Sequence, residues 1–573
     1  MDLMSSAREE CPFHGVVVVG AGLAGLSAAS HLAQSCPDLL LLEASERIGG
    51  RVHCLEGVLP WPVEAGCSFV HGQGQTLERL LHQTDCRLVE HAWPDRFFLP
   101  HQRKLVTAAE KDEELDKVHQ LFMDVGGMDY PAVDISARQW LEGQGASPAM
   151  LDIAEACYAN DFGCSLDQLG LTEMITESRR WDAGDSYFTL DRPMMALAES
   201  LAQRLPDSIL CRWPLARVDH GPEGALLYGP SGLRIRCRHL ILAVPHAILK
   251  AGSIHFSPPL PAAKLAAMGR VKVSNAIKVI LAFSQPFWPE DFFDVVCPGG
   301  FMHEYWVSKP PPSMQPSASQ PPPEDHDKSD WFQPPTPSLH QSPSGTSSHR
   351  STAPSSSPPD ASASGPHSDY SHQQHEAASL SSPVPSSAVD GGSASGSDWH
   401  AASSFGVLAG NEAEATSASE HQNFPAATGP ATHCLVGFLA GKRAEEMSGM
   451  RGSAIIRAAL AQLDQIFATK KQARPASRAY ERGHVVDWSR EPYARGAYTY
   501  PSLGAHVNDR NLLAEPLGQT VFFAGEATHP AINPCIQAAI ETVRGAADRQ
   551  ITDNLGAILV AGTSRHEVYG PAA

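Results

Sequence analysis

VVVVGAGLAGLSAASHLAQSCPDLLLLEASERIGGR, residues 16–51, decides how the rest of the chain is read. Val16 to Val19 form an apolar run that suits a strand buried on both faces. Gly20, Gly22 and Gly25 follow as G-x-G-x-x-G at a strand-to-helix turn. Missing side chains there let backbone N–H groups and the positive end of a helix approach a pyrophosphate. The spacing predicts a helix to about Gln34, with Leu23, Leu26 and Leu32 inward, then a second strand over Leu39–Leu42. Glu43 closes that strand, roughly 20 residues past the first glycine, where an acid accepts hydrogen bonds from a ribose. Three glycines alone also fit a tight turn in an ordinary α/β core. Strand, helix, second strand and terminal acid in register point to a dinucleotide site.

The residues after Glu43 narrow the cofactor. Glu43-Ala44 runs into Arg47, Gly49, Gly50 and Arg51, the pattern E-A-x-x-R-x-G-G-R. A second glycine pair with an arginine suits a large cofactor lying along the domain, with a guanidinium at a phosphate or near a ring. A nicotinamide cofactor remains open from the glycines alone. With this extension the chain resembles the FAD-dependent amine oxidase family, closest in type to polyamine oxidases. The resemblance implies an α/β fold: a Rossmann-type FAD-binding domain, three-layered around a central parallel sheet, and an α+β substrate domain with a mixed sheet and a helical lobe.

Composition bounds the partners. The 573 residues carry 43 Lys plus Arg against 63 Asp plus Glu, a formal net charge of −20, which argues against nucleic acid and favours cationic substrates. The 12 cysteines lack C-x-x-C pairs or histidine spacing for zinc, so no metal is expected and the thiols read as reduced. No run approaches the roughly 20 apolar residues of a membrane span. Neither a secretory nor a transit pattern opens MDLMSSAREECPFHG, and an intracellular protein is expected, in the cytoplasm before an organelle. Protein partners are unknown at this stage.

Along the chain, the resemblance supplies further expectations. In VEAGCSFVHG, residues 63–72, it places Gly66 against the flavin and His71 on the substrate side. By itself a lone histidine is more often a core or surface residue than a functional one. Residues 75–205 show helical periodicity; Asp161, Asp167 and Glu173 could line an amine pocket, although solvent-exposed helix faces explain them better. Strands resume near Ala216, and Val218 matches the position whose backbone meets the adenine in relatives. VKVSNAIKVILAF carries Lys278 in an apolar strand, a costly placement unless its protons are accepted or its pKa falls. In the family's N-x-x-K-V-x-L pattern that lysine holds a water at the reactive flavin nitrogen.

Residues 310–430 are Ser, Pro, Gly, Ala, Gln and His-rich and read as a disordered surface insert. WSREPYARGAYTYP then matches the family's aromatic segment, with Trp488 near the flavin and Tyr498 as one wall of an aromatic cage. Ala497 stands where monoamine oxidases carry the cysteine bonded to FAD, which implies noncovalent FAD. Gly525 and Glu526 would contact the cofactor's central hydroxyls or phosphates. The next helix departs from the family, opening on Asn533-Pro534-Cys535-Ile536-Gln537-Ala538 without an evident second cage wall.

The resulting layout is a discontinuous FAD-binding domain (13–73, 206–262, 482–555), a substrate domain (74–205, 263–309, 431–481), the insert (310–430) and two tails (1–12, 556–573). The expected activity is oxidation of a small-molecule amine, polyamine-type favoured, with dioxygen as acceptor. An amino-acid oxidase or desaturase on the same scaffold, and an FAD-binding regulator without turnover, stay open. Histone demethylation is the weaker reading, since no accessory chromatin-binding segment is visible.

Overall fold

The computed structural model describes residues 11–314, apart from 92, 93, 100, 101, 108, 109, 111, 182 and 185, and then 431–531 and 535–546. The expected insert and both tails fall almost wholly outside the described residues. So do Asn533 and Pro534.

The Val-rich run forms β1 (Phe13–Val19), which continues through the glycine turn into α1 (Leu23–Leu32) and on to β2 (Leu39–Leu42). β1 lies between β2 and β3 (Arg234–Leu242), parallel to both. Both faces of the sheet are also covered at this strand, which is why its valines are at most 4% exposed. Their side chains alternate: Val16 and Val18 enter a core with α1, whereas Val17 and Val19 join Trp213, Leu215 and Leu227 on the other face. Ile209–Leu210 extends the parallel sheet beyond β2, and Val521–Phe523 pairs with β3. On the other side of β3, Gly224–Tyr228 and Arg217–Gly221 form an antiparallel hairpin, followed by His255–Ser257.

The helices Gln75–Thr84 and Met195–Ala202, expected in the substrate domain, pack instead with α1 against the first sheet. Their leucines recur at helical spacing and need an apolar partner, which the Val16/Val18 face provides.

The second sheet has seven strands, in the order Tyr480–Asp487, β4 (Ala276–Phe283), β5 (His433–Ala440), Glu304–Ser308, Asp294–Val296, Arg96–Leu99 and Lys104–Thr107. One face, with Ile277, Val279 and Leu281, packs on the helix Gly452–Phe467. The other, with Ala276, Ile280 and Ala282, packs on Trp61, Val63, Ala65, Trp488 and Ala497. That second face looks toward the segments that carry the sequence-derived site residues. Tyr480–Asp487 belongs to this sheet, so the chain's return to the first sheet comes after residue 487. Among the described residues no helix is long and apolar enough to cross a membrane.

Candidate active site

The glycine turn is shaped by contact. A Cβ on Gly25 would lie 1.8 Å from the Gly20 carbonyl oxygen, and Gly20, at φ +103°, already touches Ala243. These two glycines bring α1 hard against the sheet. Gly22 differs: an added Cβ would meet nothing nearer than the Gly49 oxygen at 4.0 Å. Gly22 is also the N-cap of α1, with no side-chain cap and no acid in the first turn. The helix therefore presents uncapped N–H groups to an open approach, which suits a pyrophosphate.

Glu43 sits beside this turn, accepting from Ala21 N at 2.7 Å and from Ser45 N and Oγ at 2.8 Å each. Gly49 bridges to Gly22, and Gly50, at φ +59°, backs onto it. Arg47 turns its guanidinium onto its own loop, at the Ile48 and Val52 carbonyls. Arg51 reaches further, to Ala497 O at 2.7 Å and Glu526 Oε1 at 2.8 Å. Glu526 also accepts from Thr499 Oγ1 at 2.5 Å, and Thr499 accepts from Arg510. Burial alone would raise the Glu526 carboxyl; Arg51, the Thr499 hydroxyl and Arg510 together hold it below the ordinary range. Gly525, at φ +131°, faces open space. A dinucleotide with its pyrophosphate at Gly22 fits these residues. Val218, the expected adenine contact, has its side chain fully buried in the strand Arg217–Gly221, four places along the sheet from β2.

The substrate side centres on Lys278, 5% exposed on β4. Its ammonium donates to the Gly66 carbonyl and to Ser68 Oγ, and lies 5.2 Å from the Trp306 ring centroid. Burial pushes its pKa down to about 8 against the pull of Cys67 and Glu64. Gly66 packs on Arg51 so tightly that a Cβ would overlap the Arg51 carbonyl, so the lysine is braced on the cofactor loop itself. Trp488 donates its indole N–H to Ala65 O at 3.0 Å and fixes the same loop.

Tyr498, half-buried and with its pKa raised by desolvation, donates to the Asp161 backbone oxygen at 3.3 Å. Tyr187 donates to Asp161 Oδ2 at 3.2 Å. His71 packs edge-on against Tyr187, 4.8 Å between centroids, and burial lowers its pKa, so it is neutral at pH 7.

The three acids left open by sequence separate here. Asp167 is a surface residue paired with Arg138. Glu173 is buried in an ion pair with Arg510 at 3.1 Å and also accepts from Ser502 N. Asp161 enters the site, half-buried, where burial raises its pKa. Helical periodicity leaves its direction open because Glu155–Ala159, just before it, is a π-helical turn, wider than the 3.6-residue period assumes. Gln537, read only as a departure, is fully buried and donates its amide N–H to the His71 and Gly72 carbonyls. No local pattern distinguishes such a glutamine. Among the described residues no group of His, Cys, Asp and Glu is placed to hold a metal ion.

Comparison with known proteins agrees with this geometry. The family described as flavin containing amine oxidoreductase matches residues 23–300 and 395–551. The chain belongs to this family. Its cofactor is FAD. Curated relatives include lysine-specific histone demethylase 1 homolog 2 of Oryza sativa subsp. japonica, 26% identical over 49% of this chain and 38% of its own length. Polyamine oxidase 2 of Arabidopsis thaliana is 23% identical over 51% of this chain and 64% of its own. The chain thus spans less than two thirds of these relatives.

Among solved structures, putrescine oxidase bound to putrescine matches 94% of this chain and 98% of its own at TM-score 0.64 and 16% identity. Cyclohexylamine oxidase from Brevibacterium oxydans matches 95% and 100% at TM-score 0.64 and the same identity. At that identity the likeness establishes a shared fold.

Proposed function

We propose that this flavoprotein oxidises an amine of the polyamine type, taking hydride from the carbon beside a nitrogen. Dioxygen would then be reduced to hydrogen peroxide, and the imine would hydrolyse to an aldehyde and an amine. The observation that carries the reading is Lys278, a lysine buried in an apolar strand, braced on the loop that packs against Arg51, and flanked by Trp306 and Trp488. Bound FAD supplies the two-electron acceptor. Gly20, Gly22, Gly25, Glu43, Arg51, Gly525 and Glu526 would hold it, without a covalent bond since residue 497 is alanine.

Hydride loss needs the nitrogen lone pair, and an ammonium with a pKa of about 10.4 pays roughly 4–5 kcal/mol to lose its proton at neutral pH. The Tyr498, Trp306 and Trp488 rings lower that cost by disfavouring charge in their midst. A neutral His71 adds no positive charge against the incoming amine. Lys278 keeps a third N–H beyond its two bonds, available to hold a water at the reacting face.

The test is an anaerobic titration of the purified yellow protein with spermine, spermidine, an acetylated polyamine, a monoamine, an L-amino acid and a methyl-lysine histone peptide, following flavin absorbance. Bleaching by a polyamine is expected. Bleaching by the peptide or the amino acid alone would transfer the reading to a demethylase or an amino-acid oxidase. No bleaching by any of them, with dithionite still effective, would refute substrate oxidation of these kinds.

A further inference from the structure

One face of the first sheet carries a row of uncompensated positive charge in a chain whose formal net charge is −20. β3 opens as Arg234-Ile235-Arg236-Cys237-Arg238, and strand alternation sends Ile235 and Cys237 into the core while all three arginines stay exposed. Residues two apart on a strand stand about 7 Å apart along one face. The three guanidiniums therefore form a regular line.

The acids beside this line are already committed. Asp219 accepts from Arg217 Nε at 2.6 Å and Nη2 at 3.1 Å, and from the Tyr228 hydroxyl at 2.8 Å. Asp38 pairs with His14 at 3.0 Å and accepts from Gly15 N at 3.0 Å. Among the described residues, none of the Arg234, Arg236 and Arg238 side chains has an ion pair or a hydrogen bond. Like charges held this close repel, so the row disfavours the free protein and becomes favourable when anionic groups face it.

The row also has an apolar border. Arg236 pairs across the strands with Phe13 on one side and Leu226 on the other, and Arg234 pairs with Tyr228. Phe13 and Leu233 are exposed, and the Arg236 guanidinium lies 5.9 Å from the Phe13 ring centroid. Apolar groups beside a cation exclude water from it and strengthen its attraction for an anion.

We propose that the face of Arg234, Arg236 and Arg238 docks an extended acidic segment of another protein, with carboxylates at every second residue. The fit is one of charge and of spacing. An extended peptide sends alternate side chains to one side at the same interval of about 7 Å, so three carboxylates meet three guanidiniums. An anionic bilayer fits less well, since three basic residues with two exposed apolar neighbours are too few to hold a protein on it. A nucleic acid continues past the row, and there it meets the negative charge of the rest of the chain. A short acidic segment presents only the charges that the row can meet. None of these arginines belongs to the cofactor cradle or to the surroundings of Lys278, so flavin content serves as a control for folding.

The experiment measures fluorescence anisotropy of a fluorescein-labelled octapeptide of alternating glutamate and threonine on the FAD-loaded protein. Wild type is compared with the triple variant Arg234→Gln, Arg236→Gln, Arg238→Gln. A second triple variant, Arg457→Gln, Lys470→Gln, Lys471→Gln, removes the same charge from exposed positions elsewhere. Exposed ion pairs are individually weak, so losing three should weaken peptide binding about 10-fold, with the second variant unchanged and flavin retained in both. Binding should also fall as salt is added. Should the first triple variant lose flavin, Arg236→Gln alone decides by the same comparison. An equal loss in both triple variants, which general charge would produce, overturns the docking face. Absence of peptide binding to wild type overturns it as well, as does binding only of mixed phosphatidylcholine–phosphatidylserine vesicles or of a single-stranded oligonucleotide.

Discussion

At Lys278, burial lowers the proton affinity while the nearby acidic groups of Cys67 and Glu64 raise it. Replacing it with methionine should leave FAD bound, because the cofactor cradle uses other residues, and should slow turnover about 100-fold, the order expected of a lost proton-handling group. Stopped-flow reduction and reoxidation measured separately would show which half-reaction suffers. The pH dependence of stability has a definite sign. Burial takes the ammonium from 10.5 to about 8, so between those values the unfolded chain binds the proton that the folded chain has released. Stability of the wild type relative to Lys278→Met should therefore rise from pH 8 to 10.5 and be flat below 8. Denaturant midpoints at pH 7, 9 and 10.5 check this, and a relative fall over that window would contradict the buried charge.

Lys278 was legible beforehand because a local N-x-x-K-V-x-L pattern surrounds it. Asp161 was named but not resolved, its orientation set by a π-helical turn that no periodicity of 3.6 anticipates.

At the scale of elements, the β1–α1 junction depends on two close approaches. Gly25→Ala forces a methyl into the Gly20 carbonyl, which is backbone and cannot give way. Overpacking of this kind costs typically 1–3 kcal/mol and shifts α1 off the sheet. The purified variant should carry markedly less flavin than wild type, read as the ratio of visible to ultraviolet absorbance. Full flavin occupancy would show that α1 adapts. Gly22, by contrast, has room for a methyl until a phosphate arrives, so Gly22→Ala should weaken FAD while leaving the apoprotein folded. The N-terminal unit was readable because its strand, turn and helix are contiguous. Helices Gln75–Thr84 and Met195–Ala202 were recognised as helices but assigned to the wrong side, since an amphipathic pattern says that a face is buried and not against what.

At the scale of the molecule, the strands flanking the insert are antiparallel neighbours, with Ser308 opposite Cys434. The chain leaves the sheet and returns to it as a hairpin does. Replacing residues 315–430 with a short polar linker should therefore preserve flavin content and amine oxidation. Shortening a loop of that length to about 10 residues should also stabilise the fold by about 2 kcal/mol through closure entropy, visible as a raised Tm. Loss of flavin in the deleted protein would mean that the insert contributes to the folded unit.

The sequence by itself determined the glycine turn, the acid that closes β2, the buried lysine and the family, because each is written in residues close together or in a pattern tied to one chemistry. Tertiary structure alone decided where the acids of the helical lobe lie. Glu173 became a buried ion-pair partner, Asp167 a surface residue, and Asp161 the neighbour of Tyr187 and Tyr498. The physical reason is that a carboxylate's cost and its use are both set by what packs around it, and those neighbours come from distant parts of the chain.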